Sequence, residues 1–216
     1  MRIGVLGTGM VGEAIATKLV GLGHDVMMGS RTSDNERAAA WVASAGEQAS
    51  QGTFADAAAH GEVVFNCTAG EASLEAIGSA RTEDLAGKVL VDVSNPLDHS
   101  RGMPPGLFVS SFDSLGEQIQ RAFPDARVVK ALNTVNCEVM VDPAKVPGEH
   151  DVFVCGNDEA AKTAVVELLG SFGWPAEHVV DLGDITAARG AEGYVLLWIR
   201  LWGALGTGYF NINVTR

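Results

Sequence analysis

Three cysteines, two tyrosines and only 15 basic residues are spread over 216 positions. Each scarcity removes a class of protein. Cys67, Cys137 and Cys155 lie far apart, are odd in number and form no C-x-x-C pair, which argues against a disulfide scaffold and a zinc site. Cys67 and Cys155 each close an apolar run, so they read as buried, reduced thiols and fit a cytoplasmic protein. The bases are outnumbered by 27 acids, for a formal charge of −12. A surface that acidic repels a polyanion, so nucleic acid is not an expected partner. No run reaches the roughly 18 apolar residues of a membrane span. The nearest candidate, Tyr194 to Leu205, carries Arg200 in its middle. The N-terminus imitates a secretory leader, but Gly4, Gly7, Gly9 and Gly12 break its apolar stretch and Glu13 precedes Ala14-Ile15-Ala16. The five histidines (His24, His60, His99, His150 and His178) have no metal-ligand spacing, and no G-x-S-x-G is present. Neither a metal site nor a hydrolytic site is expected.

What is present points to a globular domain. Hydrophobic residues make up 47% and charged residues 19%, a balance that excludes a disordered chain. Glycine is frequent, at 26 residues, which implies tight turns and close backbone approach. Short apolar runs alternate with helical patterns. Ile3–Leu6, Val26–Met28, Val63–Phe65, Val89–Val93, Val128–Lys130, Val152–Val154 and Val179–Val180 read as strands. Helices are expected over Met10–Leu22, Asn35–Ala45, Ala72–Ile77, Leu115–Phe123 and from Asp158 through Leu169. This alternation predicts an α/β chain: a Rossmann-type doubly wound, mostly parallel sheet with a short C-terminal helical appendage. Residues 1–183 would bind a dinucleotide. Residues 184–216 would supply a helix and tail. Thr186 to Gly206 is apolar around most of its circumference and so should be buried, either on the sheet or between two copies of the chain as a homodimer. Tyr209 to Thr215 alternates like a terminal strand.

Gly7-Thr8-Gly9-Met10-Val11-Gly12 is G-x-G-x-x-G, placed directly after a strand and opening an amphipathic helix. That context makes it a phosphate loop. Gly7 permits the turn, Gly9 admits a pyrophosphate to the backbone, and Gly12 lets helix and strand pack closely. The helix N-terminus offers free N–H groups to the phosphates. An NAD site places an acid at the end of the second strand. Here that edge reads Gly29-Ser30-Arg31-Thr32, and Asp25 lies at the strand's other end. Ser30, Arg31 and Thr32 can bind a 2′-phosphate, so NADP(H) is the expected cofactor. Arg37 is a second candidate cation.

Three further segments fall at carboxyl ends of strands: Cys67-Thr68-Ala69-Gly70, Ser94-Asn95-Pro96 and Ala131-Leu132-Asn133-Thr134. Their small and amide-bearing residues allow a flat ring to lie against the backbone. Lys130 with Asn133 can polarise a carbonyl, or Lys130 can sit in a salt bridge; the sequence allows either.

With these motifs in view, the chain resembles the coenzyme F420-dependent NADP oxidoreductases. The likeness rests on the Gly7–Gly12 loop, Gly29-Ser30-Arg31, Val128 to Thr134, Gly156-Asn157-Asp158, and Asp181-Leu182-Gly183 with Ala188-Arg189. Asp92 to Leu97 and Ser114 to Ile119 resemble a bacterial subgroup, and the cytosolic domains of membrane ferric reductases are similar too. The resemblance implies an NADP(H)-dependent oxidoreductase that passes hydride between nicotinamide and a deazaflavin, coenzyme F420, or a similar small-molecule acceptor. It implies that Thr8, Met10, Ser30, Arg31 and Thr32 hold the adenine half and its phosphates. Thr68 and Ala69 would lie beside the nicotinamide, and Asn133, Thr134 and Val135 would touch the acceptor ring. Lys130 or Asn95 would support charge developing on that ring. Arg101, Arg189 and Arg200 are the cations available to an acidic acceptor tail. Direct hydride transfer needs no nucleophile, because the cofactors carry the chemistry. Two other readings remain open. One is an enzyme like the β-hydroxyacid dehydrogenases and imine reductases, although only 33 residues follow Gly183. The other is a non-enzymatic NADPH-sensing protein.

Overall fold

The computed structural model describes residues 1–215. Eight strands form one sheet in the order β10-β9-β8-β5-β4-β1-β2-β3. Here β1 is Arg2–Leu6, β2 Asp25–Ser30, β3 Ala49–Thr53, β4 Val63–Asn66, β5 Val89–Asp92, β8 Arg127–Ala131, β9 Val152–Gly156 and β10 Val179–Asp181. Strands β6 (Leu97–Asp98) and β7 (Gly106–Leu107) make a separate small hairpin. All pairings in the large sheet are parallel except β8 with β9. The chain winds outward from β1 to β3, then returns to β4 on the other side of β1. This reversal of strand order leaves a crevice at the carboxyl ends of β1 and β4, where such sheets bind ligands.

Residues alternate along each strand between two cores, one on each face. Ile3, Val5, Phe65, Val91 and Val129 pack beneath Ile15, Leu19 and Trp174. Leu6, Val64, Leu90 and Val128 pack beneath Ile77, Leu115 and Ile119. Helix α1 (Met10–Gly21) buries Gly12, Ile15, Ala16 and Leu19, a stripe at helical spacing. Caps set the starts of α2 (Glu36–Ala45), where the Asn35 side chain accepts from Arg37 and Ala38 N–H, and of α8 (Glu159–Phe172), where Asp158 accepts from Ala161 N–H.

Two segments depart from the sequence expectation. Residues 49–60 form an edge strand, β3, and a short helix, α3 (Phe54–His60), neither of which the hydrophobic pattern announces. Strand β3 is Ala-Ser-Gln-Gly-Thr, mostly half-buried, so it carries no apolar alternation. The signal available was Thr53 with Asp56, a capping box at the start of α3. Tyr209 to Thr215 is not a strand. It is held by Asp151, whose N–H donates to the Ile212 carbonyl and whose carboxylate accepts from Val214 N–H, and by Tyr209, whose hydroxyl donates to Glu138.

Between β8 and the tail lie α7 (Cys137–Val141), α8 and the long helix α9 (Ala188–Leu205). Earlier, α4 (Gly70–Gly78), α5 (Thr82–Leu85) and α6 (Leu115–Ala122) cover the other face. Helix α9 is buried only in its first half, at Ala188, Ala191, Glu192 and Val195. Leu197, Trp202 and Leu205 stand about half exposed, at 55%, 45% and 56%. Within one chain, burial of the helix is confined to the end that meets the sheet.

That end is fastened by charge. Lys130 on β8 is 1% exposed and bonds Asp92 Oδ2 and Glu192 Oε1, each at 2.8 Å, and the Ser94 carbonyl at 2.6 Å. Burial alone would lower the Lys130 pKa, but the two carboxylates hold it above the ordinary lysine value. Glu192 also accepts from the Leu115 and Gly116 N–H groups at the start of α6, both at 2.9 Å. Arg189, one turn earlier on α9, grips Glu117 of α6 through Nε at 2.9 Å and through a second guanidinium nitrogen. Replacing Lys130 by Met leaves two buried carboxylates unpaired, and denaturant unfolding should show a loss of about 3–5 kcal/mol. Arg189 holds the Glu117 carboxyl below its ordinary 4.5, so the pair stabilises the fold above that pH and loses its effect as the acid protonates. Melting curves of Arg189→Met should therefore lie below wild type at pH 7, and the gap should close as pH falls below 4.5.

Candidate functional site

The carboxyl edge of the sheet gathers five loops, those following β1, β2, β4, β5 and β8. After β1 the backbone turns at Gly7, with φ of 121°. A Cβ on Gly12 would lie 2.1 Å from the Gly7 carbonyl oxygen, so glycine there is what allows α1 to start against the turn. Gly9 differs: a Cβ built on it meets nothing within 4 Å. It caps α1 with extended backbone and without a side-chain hydrogen bond, so the helix's first N–H groups are turned to the crevice without a competing cap. Met10 beside it is 79% exposed.

Two cavities flank this loop. The first, about 400 Å³, is lined by Ser30 and Arg31 at the end of β2, by Thr53 and Phe54, and by Glu75 and Ala76 of α4. Arg31 and Thr32 are exposed, while Ser30 is buried and donates to the Thr32 carbonyl at 2.5 Å. Arg31 thus has a free guanidinium at the mouth of a pocket of nucleoside size. The sequence expectation of no acid at this edge needs correction. Glu75 reaches the same cavity from α4, 45 residues along from Ser30 in the chain and invisible to a search confined to the strand end. Thr53 and Phe54 were missed for the same reason as β3 and α3. Arg37 is exposed on α2 and does not line the cavity.

The second cavity, about 420 Å³, lies on the other side of the loop. Met10, Val11, Cys67, Thr68, Ala69, Asn95 and Asn133 line it together with Cys137 and Met140 of α7 and Val195, Trp198 and Ile199 of α9. The walls from α7 and α9 are the parts that sequence reasoning left unassigned, and the signal for α9 was the stronger. That signal was the helical spacing of Val195, Trp198 and Ile199. Trp198 is braced by stacking on Phe210 of the tail, with ring centroids 5.3 Å apart.

The polar side of this cavity is built at the end of β8. Leu132 is buried and takes a left-handed conformation, with φ of 63°, which few branched residues adopt. The turn delivers Asn133 to the cavity. Asn133 Nδ2 donates to Asn95 Oδ1 at 2.9 Å and to the Ala191 carbonyl at 3.0 Å, and Asn95 Nδ2 returns a bond to the Asn133 carbonyl at 2.9 Å. Asn133 is 4% exposed, and its Oδ1 has no partner. A buried acceptor without a partner costs about 1–3 kcal/mol. Thr134 is 2% exposed with its hydroxyl likewise unpartnered, but it stands behind the wall rather than on it.

Other expected roles change. Lys130 does not line the cavity, and all three of its partners are buried acceptors, so it takes the salt-bridge alternative and cannot polarise a substrate carbonyl. One N–H of the Asn95 amide bonds the Asn133 carbonyl, and its Oδ1 accepts from Asn133. Arg189 is spent on Glu117, while Arg101 and Arg200 are exposed and outside the cavity. Thr68 is oriented from below: its hydroxyl donates to Asn66 Oδ1 at 2.7 Å, and Asn66 Nδ2 donates to Asp92 Oδ1 at 2.9 Å.

A phosphate loop between a nucleoside-sized pocket and an apolar ring-sized pocket defines a dinucleotide-dependent oxidoreductase rather than a hydrolase. The comparisons agree. The family described as "NADP oxidoreductase coenzyme F420-dependent" matches residues 2–96. The F420-dependent NADP reductase of Methanocaldococcus jannaschii is 31% identical, over 99% of both chains. Metalloreductase STEAP3 of Rattus norvegicus is also 31% identical, but the chain spans only 38% of its length. A crystal structure from Arthrobacter sp. FB24, described as that of a candidate F420-dependent NADP-reductase, superposes with a TM-score of 0.94 at 50% identity over the whole of both chains. A reductive aminase from Aspergillus terreus, at 18% identity and a TM-score of 0.66, shares the fold. The chain belongs to the coenzyme F420-dependent NADP oxidoreductase family. No helix among the described residues is long and apolar enough to cross a membrane.

Gly9 offers a clean check of the phosphate loop. Gly9→Ala meets no atom in the fold, so its melting temperature should match wild type. Its methyl group would occupy the space open to a pyrophosphate, and NADPH affinity measured by calorimetry should fall at least about tenfold.

Proposed function

We propose that the chain transfers hydride between NADP(H) and a flat ring acceptor of the deazaflavin type. One observation carries this reading: the second cavity combines an apolar wall of Val11, Met140, Val195, Trp198 and Ile199 with a polar side made by the interlocked amides of Asn95 and Asn133. Such a pocket suits a planar heterocycle bearing an N–H, stacked against a second ring.

The residues present fit the dinucleotide. Gly9 leaves room at the α1 N-terminus for the pyrophosphate, and Arg31 with Ser30 and Thr32 would hold the adenosine 2′-phosphate. Thr68 and Ala69 would flank the nicotinamide. When bound, NADP(H) supplies or accepts the hydride itself, and the protein contributes placement. Val11 and Ile199 exclude water from the ring pocket. Asn133, locked through its amide nitrogen to Asn95 and Ala191, fixes the polar side of the pocket and with it the angle of approach. No proton need be moved by a side chain, so Lys130 can be fully committed to the core without loss of chemistry. Its burial also weighs against the imine-reductase and hydroxyacid-dehydrogenase readings, in which that lysine would meet the substrate.

Anaerobic mixing of the protein with NADPH and coenzyme F420 should bleach the deazaflavin's visible absorbance, and NADH should do so far more slowly. Tryptophan quenching by NADPH without any bleaching would remove the deazaflavin and leave the cofactor site standing. Asn133→Ala should slow the hydride step by about 10–100-fold, a loss of placement rather than of a chemical group.

A further inference from the structure

The cluster under the ring pocket is not neutral. Asp92 and Glu192 face a single ammonium, Lys130. Both acids are held by donors: Asp92 Oδ1 accepts from Asn66 Nδ2, Ser94 N–H and Ser94 Oγ, and Glu192 accepts from two backbone N–H groups as well as Lys130. Each of their oxygens accepts a hydrogen bond. By formal charge, two acids against one ammonium leave one negative charge in excess, buried in a region where charge is weakly screened.

This charge lies one layer behind the cavity. Ser94, whose hydroxyl donates to Asp92 at 2.6 Å, lines the wall. Thr68 on the same wall reaches Asp92 through Asn66. The Cys67 thiol, also on the wall, is pushed up by burial and further by the charge of Asp92. No lysine or arginine lines the wall to oppose that charge. Besides the thiols of Cys67 and Cys137, the titratable side chains lining the cavity are Glu71 and His99. Arg189 is paired with Glu117, and the N–H groups of α6 that meet Glu192 are dipoles without net charge.

Given the cofactor placement proposed above, we infer that the Asp92–Lys130–Glu192 cluster favours the oxidised nicotinamide, and so makes bound NADPH a stronger hydride donor than free NADPH. Loss of hydride removes two electrons and the C4 hydrogen to the acceptor and leaves the nicotinamide ring with a positive charge. A fixed negative charge beneath the pocket stabilises that product over the neutral reduced ring. Asp92 and Glu192 are positioning residues in this sense: they touch neither reactant and set the redox balance from behind the wall. The direction favoured is NADPH oxidation.

The test is the ratio of affinities for NADP+ and NADPH, read by tryptophan quenching in wild type, Asp92→Asn and Glu192→Gln. Each substitution removes one charge at nearly constant shape and leaves Lys130 with one carboxylate. We expect NADP+ binding to weaken about three- to tenfold relative to NADPH in both variants, the size of one partly screened unit charge. A merely structural role would weaken both nucleotides together, and that result, or an unchanged ratio in a folded variant, overturns the inference. Should neither variant fold, wild type decides: NADP+ bound at least as tightly as NADPH supports the inference, and NADPH tighter by about tenfold or more sinks it. Failure of wild type to bind either nucleotide instead refutes the cofactor placement itself.

Discussion

The ammonium of Lys130 is the point on which the site converges. It joins β5 through Asp92, the loop after β5 through the Ser94 carbonyl, and α9 through Glu192. Glu192 in turn caps α6 with its carboxylate. Four pieces of chain remote in sequence are thereby set against one another to within a hydrogen bond. A hydrophobic contact would join them without direction. Ionic hydrogen bonds at 2.6–2.8 Å impose an angle as well as a distance, and burial keeps solvent from loosening them. The walls of the ring pocket inherit that definition, because Ser94, Asn95 and Asn133 stand beside these anchors and Val195 is one turn beyond Glu192.

The division of labour between the two cavities follows from the sheet. The β2 side offers an exposed arginine and open loop, suited to a charged, solvated nucleotide end. The β4, β5 and β8 ends offer buried amides and an apolar helix, suited to a ring from which water must be kept. The phosphate loop lies between them because it follows β1, where the winding of the sheet reverses.

The parts legible in the sequence were those governed by local rules. Gly7 to Gly12 and the strands of Val and Ile announce themselves through spacing and apolar runs, and Ser30-Arg31-Thr32 through position after a strand. What stayed hidden was decided by tertiary contact. Strand β3 is polar and owes its ladder to β2 rather than to its own side chains. Glu75 enters the nucleoside cavity only because α4 packs beside β2's end. Lys130 could be read as reagent or as anchor until Glu192, 62 residues later, was seen to close on it. Trp198 and its neighbours carried a helical pattern, but no local rule says what a helix will face.

Helix α9 is fastened by polar bonds at its first turns and beyond them rests on apolar contacts such as that of Trp198 with Phe210. Its anchored part, Arg189 to Glu192, is fixed to α6 and β8, while Val195, Trp198 and Ile199 project beyond the last polar fastening. The ring pocket is therefore half sheet and half interchangeable part. Substitutions at Val195, Trp198 and Ile199, within about one turn of one helix, can reshape that side of the cavity while the glycine loop, the Ser30–Thr32 edge and the ionic anchor keep their geometry. A lineage built on this plan can change what it reduces faster than it changes what it reduces with.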